Sequence, residues 1–123
     1  MPQTSTSSEN RASGHPLIES NRAEGTRVYD DQGKHIGSID HLVIEKISGR
    51  VVYAVVSFSG FLGIGAHRYT VPWEKLHYDP ALGAYLTNIT EGELHEAPVL
   101  PHDSDRERED AFRRYWRVPR YWT

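Results

Sequence analysis

The chain has 123 residues, with 14 Lys and Arg against 17 Asp and Glu, a formal net charge of −3 and 37% apolar side chains. That is room for one domain with tails, and so small a charge steers nothing strongly toward nucleic acid. Lacking cysteine, it is excluded from disulfides, thiolate metal sites and cysteine nucleophiles; without a run of roughly 20 apolar residues or a signal-peptide layout, it is expected to be cytoplasmic.

Residues 1–16 are rich in Ser, Thr and Asn, carry no large apolar side chain after Met1, and read as a disordered segment. Residues 17–99 form the expected domain, and their pattern is mainly β. Arg27-Val28-Tyr29 is a short strand, followed by the turn residues Asp30-Asp31-Gln32-Gly33-Lys34. A strand is expected over residues 36–47, with Ile39, His41, Val43 and Glu45 on one face and Asp40, Leu42, Ile44 and Lys46 on the other. Ser48-Gly49-Arg50 turns the chain into Val51–Phe58. In that strand Val51, Tyr53, Val55 and Ser57 oppose Val52, Ala54, Val56 and Phe58, so both faces are apolar and both need cover.

A Gly-punctuated apolar loop follows, then a strand from His67 to Val71 that Pro72 ends, having no N–H to give a ladder. Trp73–Leu76 reads as one helical turn, Asp79–Gly83 as a turn and Ala84–Thr87 as the last strand. Thr90-Glu91-Gly92-Glu93 has capping-box spacing and opens a short helix that Pro98 stops. Short strands at this spacing, with no long helix between them, imply a small antiparallel barrel or sandwich. The side chains expected deepest in the core are Val52, Val56, Leu42, Ile44, Val71 and Leu86. Gly33 and Gly49 are expected in tight turns with positive φ.

The order of these pieces carries a resemblance. A strand, a DxxG turn, IGSIDHLVIE, GRVVYAVVSF, the loop GFLGIG and then YTVPW resemble the PRC-barrel domain over roughly residues 17–99. GFLGIG with YTVPW is its most specific part and looks like the stand-alone bacterial branch. The family includes the cytoplasmic region of the photosynthetic reaction centre H subunit and the C-terminal domain of a ribosome maturation factor. The resemblance implies a small β-barrel adaptor for proteins, often dimeric, with no catalytic residues to carry over. The chain shows neither the RNA-associated domain of the ribosome factor nor the membrane helix of the H subunit, so neither relative's specific role transfers.

Candidates for chemistry weaken one by one. The seven histidines show no HExxH or closely paired spacing, so no metal or cofactor is expected. Asp30 and Asp31 cap a turn rather than form an acid–base pair. No Ser lies in a G-x-S-x-G context. Gly60, Gly63 and Gly65 lack the Lys-Ser/Thr and the helix of a phosphate loop. A catalytic set is therefore not expected.

Residues 100–123 are a charged and aromatic helix and tail. Asp103, Asp105, Glu107, Glu109 and Asp110 precede Arg113, Arg114, Arg117 and Arg120, the order that complements a helix dipole. Ala111, Phe112, Tyr115 and Trp116 make an apolar stripe on a helix beginning near Ser104 and ended by Pro119. The stripe docks on the barrel, on a sister subunit or on another protein. Arg interleaved with aromatics also suits RNA stacking or an anionic membrane surface, but the acidic block repels both. The reading is a non-catalytic protein-interaction module that forms a homodimer and binds a further protein partner. Its interaction candidates are Phe61, Leu62, Ile64, Phe112, Arg113, Tyr115, Trp116 and Arg117. The alternatives are a ribosome- or RNA-associated factor and a small-molecule or metal-binding domain.

Overall fold

The computed structural model describes residues 16–59, 67–101 and 103–122. The segment expected to be disordered, save Pro16, and the loop residues Phe61, Leu62 and Ile64 lie outside them. The elements run α1 (Ser20–Ala23), β1 (Arg27–Asp30), β2 (His35–Ile44), β3 (Val51–Phe58), β4 (His67–Pro72), a 3-10 turn (Trp73–Lys75), β5 (His77–Asp79), β6 (Ala84–Thr87), α2 (Glu91–Glu96) and α3 (Arg106–Trp116). α1 and β5 carry no pattern legible in the sequence.

Six strands form one sheet in the order β4-β3-β2-β1-β6-β5. Its edge strands, β4 and β5, are nevertheless consecutive in the chain, with Pro72 ending one and His77 starting the other. Five Cα steps reach at most about 18 Å, whereas five strand spacings in a flat sheet measure about 24 Å. The sheet must therefore curl strongly toward its own far edge. Every pairing is antiparallel except β1 with β6, where Val28 stands beside Tyr85 and Tyr29 beside Leu86 in parallel. This corrects the purely antiparallel expectation: the short connection carries the chain across to the far edge, and the β5–β6 hairpin then lays β6 alongside β1.

The turns follow their residues. Gly33 has φ 83° and Gly49 φ 77°, the left-handed backbone that a side chain resists. Asp30 Oδ1 accepts from the backbone N–H of Gln32 at 2.9 Å and of Lys34 at 2.8 Å, an Asx arrangement that closes the first turn. The capping box of α2 is complete, with Thr90 Oγ1 accepting from Glu93 N at 3.1 Å and Glu93 Oε1 accepting from Thr90 N at 2.9 Å.

One face of β3 is the centre of the core: Val52, Ala54, Val56 and Phe58 are buried with Val28, Ile36, Ile39 and Val71. Val52, Val56 and Val71 are therefore where the alternation placed them. Leu42 and Leu86 are only half-buried and Ile44 is 47% exposed. β2 carries a bulge that changes which of its residues face inward. Ile39 opposes Val56, but the next partnered residue is His41, opposite Val55. One extra residue switches the faces, sending Ile39 inward and His41 and Val43 outward, against the alternation expected for residues 36–47. A second irregularity between Val43 and Ile44 turns Ile44 out to solvent.

Gly37 lies opposite Phe58 in the same ladder. A Cβ there would collide with the Ser57 carbonyl oxygen and stand 3.1 Å from Phe58 Cα. Backbone cannot yield as a flexible side chain can, so Gly37→Ala should cost about 1–3 kcal/mol. Thermal melting checks this, and the Gly33→Ala control, strained only by its φ in open space, should lose less.

Candidate functional site

The second face of β3 is met by the C-terminal segment. Asp105 caps α3, its Oδ1 accepting from Arg108 N at 2.8 Å, and Arg117 closes it in the left-handed conformation at φ 60°. Glu107 and Glu109 lie in the first turn and Arg113 and Arg114 in the last, favouring the helix dipole at both ends. The buried side chains are Glu109, Phe112, Arg113 and Trp116, spaced i, i+3, i+4 and i+7 as one helix face. Ala111, expected in this stripe, is exposed; the face is rotated and carries two charges.

Those charges form a network centred on Tyr53. Tyr53 Oη donates to Glu109 Oε2 at 2.7 Å and Tyr121 Oη donates to the same oxygen at 2.6 Å. Arg106 Nη1 donates to Glu109 Oε1 at 2.9 Å. Arg113 is 1% exposed, with Nη2 on Glu74 Oε2 and Nε on the Pro119 carbonyl, both at 2.6 Å. Its guanidinium lies 5.4 Å from the ring centroids of both Tyr53 and Tyr121. Phe112 meets the Tyr53 ring edge-on at 5.6 Å. Tyr115 donates from Oη to the Glu93 carbonyl at 2.6 Å, tying α3 to α2. Among the described residues two buried donors, Arg113 Nη1 and Trp116 Nε1, find no partner, which costs this packing part of its gain.

Burial first, then the bond to Glu109, pushes the Tyr53 hydroxyl well above the ordinary tyrosine range; Tyr121 is raised for the same two reasons in the same order. The hydrogen bond from Arg120 holds the Asp110 carboxyl below its usual value. Above pH about 10 tyrosines of the unfolded chain ionise while Tyr53 keeps its proton in the fold. Unfolding then releases a proton, so stability falls as pH rises. Melting temperatures from pH 8 upward should show this alkaline decline, shallower in Tyr53→Phe.

Beside the network a groove of about 200 Å³ runs along the outer face of β2–β4. Val43, Val55 and Tyr53 are among its lining, together with Ile44, Leu100 and Pro101. At its edge Asp40 Oδ2 and His41 Nδ1 are 2.6 Å apart, and that hydrogen bond is the main reason the Asp40 carboxyl is held low. Among the described residues, no three His, Cys, Asp or Glu side chains gather as a metal site requires, and no helix is long and apolar enough to cross a membrane.

A model of the PRC-barrel domain matches residues 16–94. The chain belongs to the PRC-barrel domain family. A solved structure from Pseudomonas aeruginosa, described as a candidate 16S ribosomal RNA processing protein RimM, is similar at 23% identity and a TM-score of 0.45. The likeness covers 65% of this chain and 48% of that one, so the chain spans about half the length of that relative. No curated protein matches the chain. The PRC match ends inside α2, so α3 and its tail lie beyond the matched residues and pack against them.

Of the expected interaction residues, Phe112, Arg113 and Trp116 are buried against the chain's own domain, at 1%, 1% and 3% exposure. Tyr115 is half-buried and Arg117 is exposed as the helix cap. The argument for a homodimer from an uncovered aromatic stripe therefore falls, because the chain covers that stripe itself. Tyr53, Glu74, Glu109 and Tyr121 were not singled out from sequence. Tyr53 and Glu109 lie 56 residues apart, and no spacing rule connects them.

Proposed function

We propose that this PRC-barrel protein is a non-catalytic protein-interaction module. One observation carries the reading: most of the converging polar groups are engaged with one another, while apolar surface stays open beside them. Glu109, Tyr53, Tyr121 and Arg106 are tied together by four hydrogen bonds, Arg106 to Tyr121 at 2.9 Å among them, and Arg113 is held separately by Glu74 and the Pro119 carbonyl. An acid or base engaged in this way is not poised toward a substrate. In contrast Ile44, which lines the groove, and Ile47, at 97% exposure, and Val99, at 79%, are uncovered apolar side chains, the kind of surface that marks interaction sites. The domain is read as residues 17–99, a curled sheet acting as a small barrel, with residues 100–123 as its own cover. The test is affinity capture from the native host with the full chain and with Ile47→Asp. A stoichiometric protein captured by the first and lost by the second supports the module; the same proteins captured by both overturns this surface.

An RNA-associated factor is the second reading, favoured by one feature. Arg106 lies 5.2 and 4.4 Å from the Tyr121 and Trp122 rings, and Arg120 lies 5.9 Å from Trp122. Such stacking suits unpaired bases. Yet Arg106 is engaged by Glu109, and Arg114 and Arg120 by Asp110, which weakens their pull on phosphate. A salt-dependent gel shift with single-stranded RNA would favour this reading over the first.

A further inference from the structure

The groove beside the network has a chemistry that its surroundings do not use up. We infer that it is a socket for one basic side chain of a protein partner, an arginine or lysine whose stem lies along Val43 and Val55. The inference rests on the module reading above and names what that module would grip.

Three observations lead there. The first is size: at about 200 Å³ the groove falls below the roughly 300–1,000 Å³ of pockets that enclose small organic ligands, but suits one long side chain. The second is charge. Glu45 and Glu109 line it together with His41, and among the described residues no Lys or Arg does. Glu109 is 8% exposed and accepts three hydrogen bonds, from Tyr53, Tyr121 and Arg106. A carboxylate has about four acceptor positions, so one is left. Among the described residues the Glu45 carboxylate receives only the Ser48 hydroxyl, at 2.6 Å, on its Oε1. The third is the floor. The bulge in β2 turns His41 and Val43 outward beside Val55, leaving a half-buried aliphatic track. Long basic side chains lay their methylenes on such a surface and carry the charge to its end. Ile44 and Leu100 add apolar surface to its lining, and the exposed Ile47 and Val99 stand three residues and one residue from them in the chain. That breadth fits a protein surface better than a lone metabolite amine.

The absence of cations from the lining distinguishes this socket from the cleft between the 3-10 turn and the end of α3. Lys75 and Arg117 line that cleft beside Glu74 and Glu93, so it has no net preference for either sign.

Two probes differing only in charge test the inference on the full chain: N-acetyl-arginine methylamide and its neutral counterpart N-acetyl-citrulline methylamide. Titrations followed by amide chemical shifts should show the arginine probe moving Val43, Tyr53 and Val55, with citrulline binding about ten-fold more weakly for want of the charge-assisted bond. Glu45→Gln, a change at a half-exposed side chain, should narrow that difference, and Val55→Trp should block both probes by filling the track. Equal binding of the two probes, shifts confined to other surfaces, or no shifts at millimolar probe would each overturn the inference. Its failure is separable from that of the module. A captured partner with a silent arginine probe leaves the module standing without the socket; a bound probe with no captured partner leaves the socket without the module.

Discussion

Val56→Asp should abolish cooperative folding. Val56 is fully buried, lies between Ile39 on β2 and Tyr69 on β4, and sits in the continuous apolar cluster of the curled sheet. A carboxylate there has no cation within the cluster, and an unpaired buried charge either costs several kcal/mol or takes up a proton at a similar cost. Total stabilities of domains this size are about 5–15 kcal/mol, so the penalty consumes most of what is available. Far-UV circular dichroism on heating should show no sigmoidal transition. Val55→Asp, one residue along and half-exposed on the groove side, should fold and melt cooperatively. The contrast between neighbours tests which face of β3 is interior. If the two variants melted alike, the alternation would be misassigned.

That contrast also marks how far the sequence could be read. Two apolar faces on Val51–Phe58 required two covers, and the structure supplies them: the curled sheet on one side and, at Tyr53, the C-terminal helix on the other. The turn at Gly33, the capping box at Thr90 and the stop at Pro72 are decided by neighbouring residues, so local chemistry was enough to find them. The bulge at Asp40 was not legible, because it depends on which residue of β3 each residue of β2 meets, and that register is a property of two strands. It reversed the faces of Ile39 and His41 and so hid the groove. The parallel β1–β6 pair was hidden for a related reason: it follows from where a short connection delivers a hairpin in space. At the site, the charged face of α3 read as a dipole pattern with an apolar stripe beside it. Burial of Glu109 and Arg113 became understandable only with Tyr53, Tyr121 and Glu74 as their partners, brought from distant parts of the chain.

Trp116→Ala decides whether α3 is part of the domain or an ornament on it. Trp116 is 3% exposed and belongs to the same buried cluster as Val52, Leu76 and Leu94. It is edge-packed on Tyr115 at 5.2 Å and lies under Lys75. Truncating a buried tryptophan removes its transfer free energy and leaves a cavity, together about 3–5 kcal/mol. Part of this is offset, because the indole N–H is buried without a partner among the described residues and its removal relieves that desolvation cost. A melting temperature lower by more than about 10 °C in a single transition would show one cooperative unit extending from the PRC match through α3. A drop of a degree or two would instead mean that α3 undocks before the sheet melts, and the tail would then be a separable cover. Glu109→Gln discriminates further. It keeps the shape of the network but swaps an acceptor-only carboxylate for an amide with donors, so either Tyr53 or Arg106 loses its acceptor. If α3 melts with the sheet, this variant should lower the same transition as Trp116→Ala by a smaller amount; if α3 undocks first, it should leave the sheet's melting where it was.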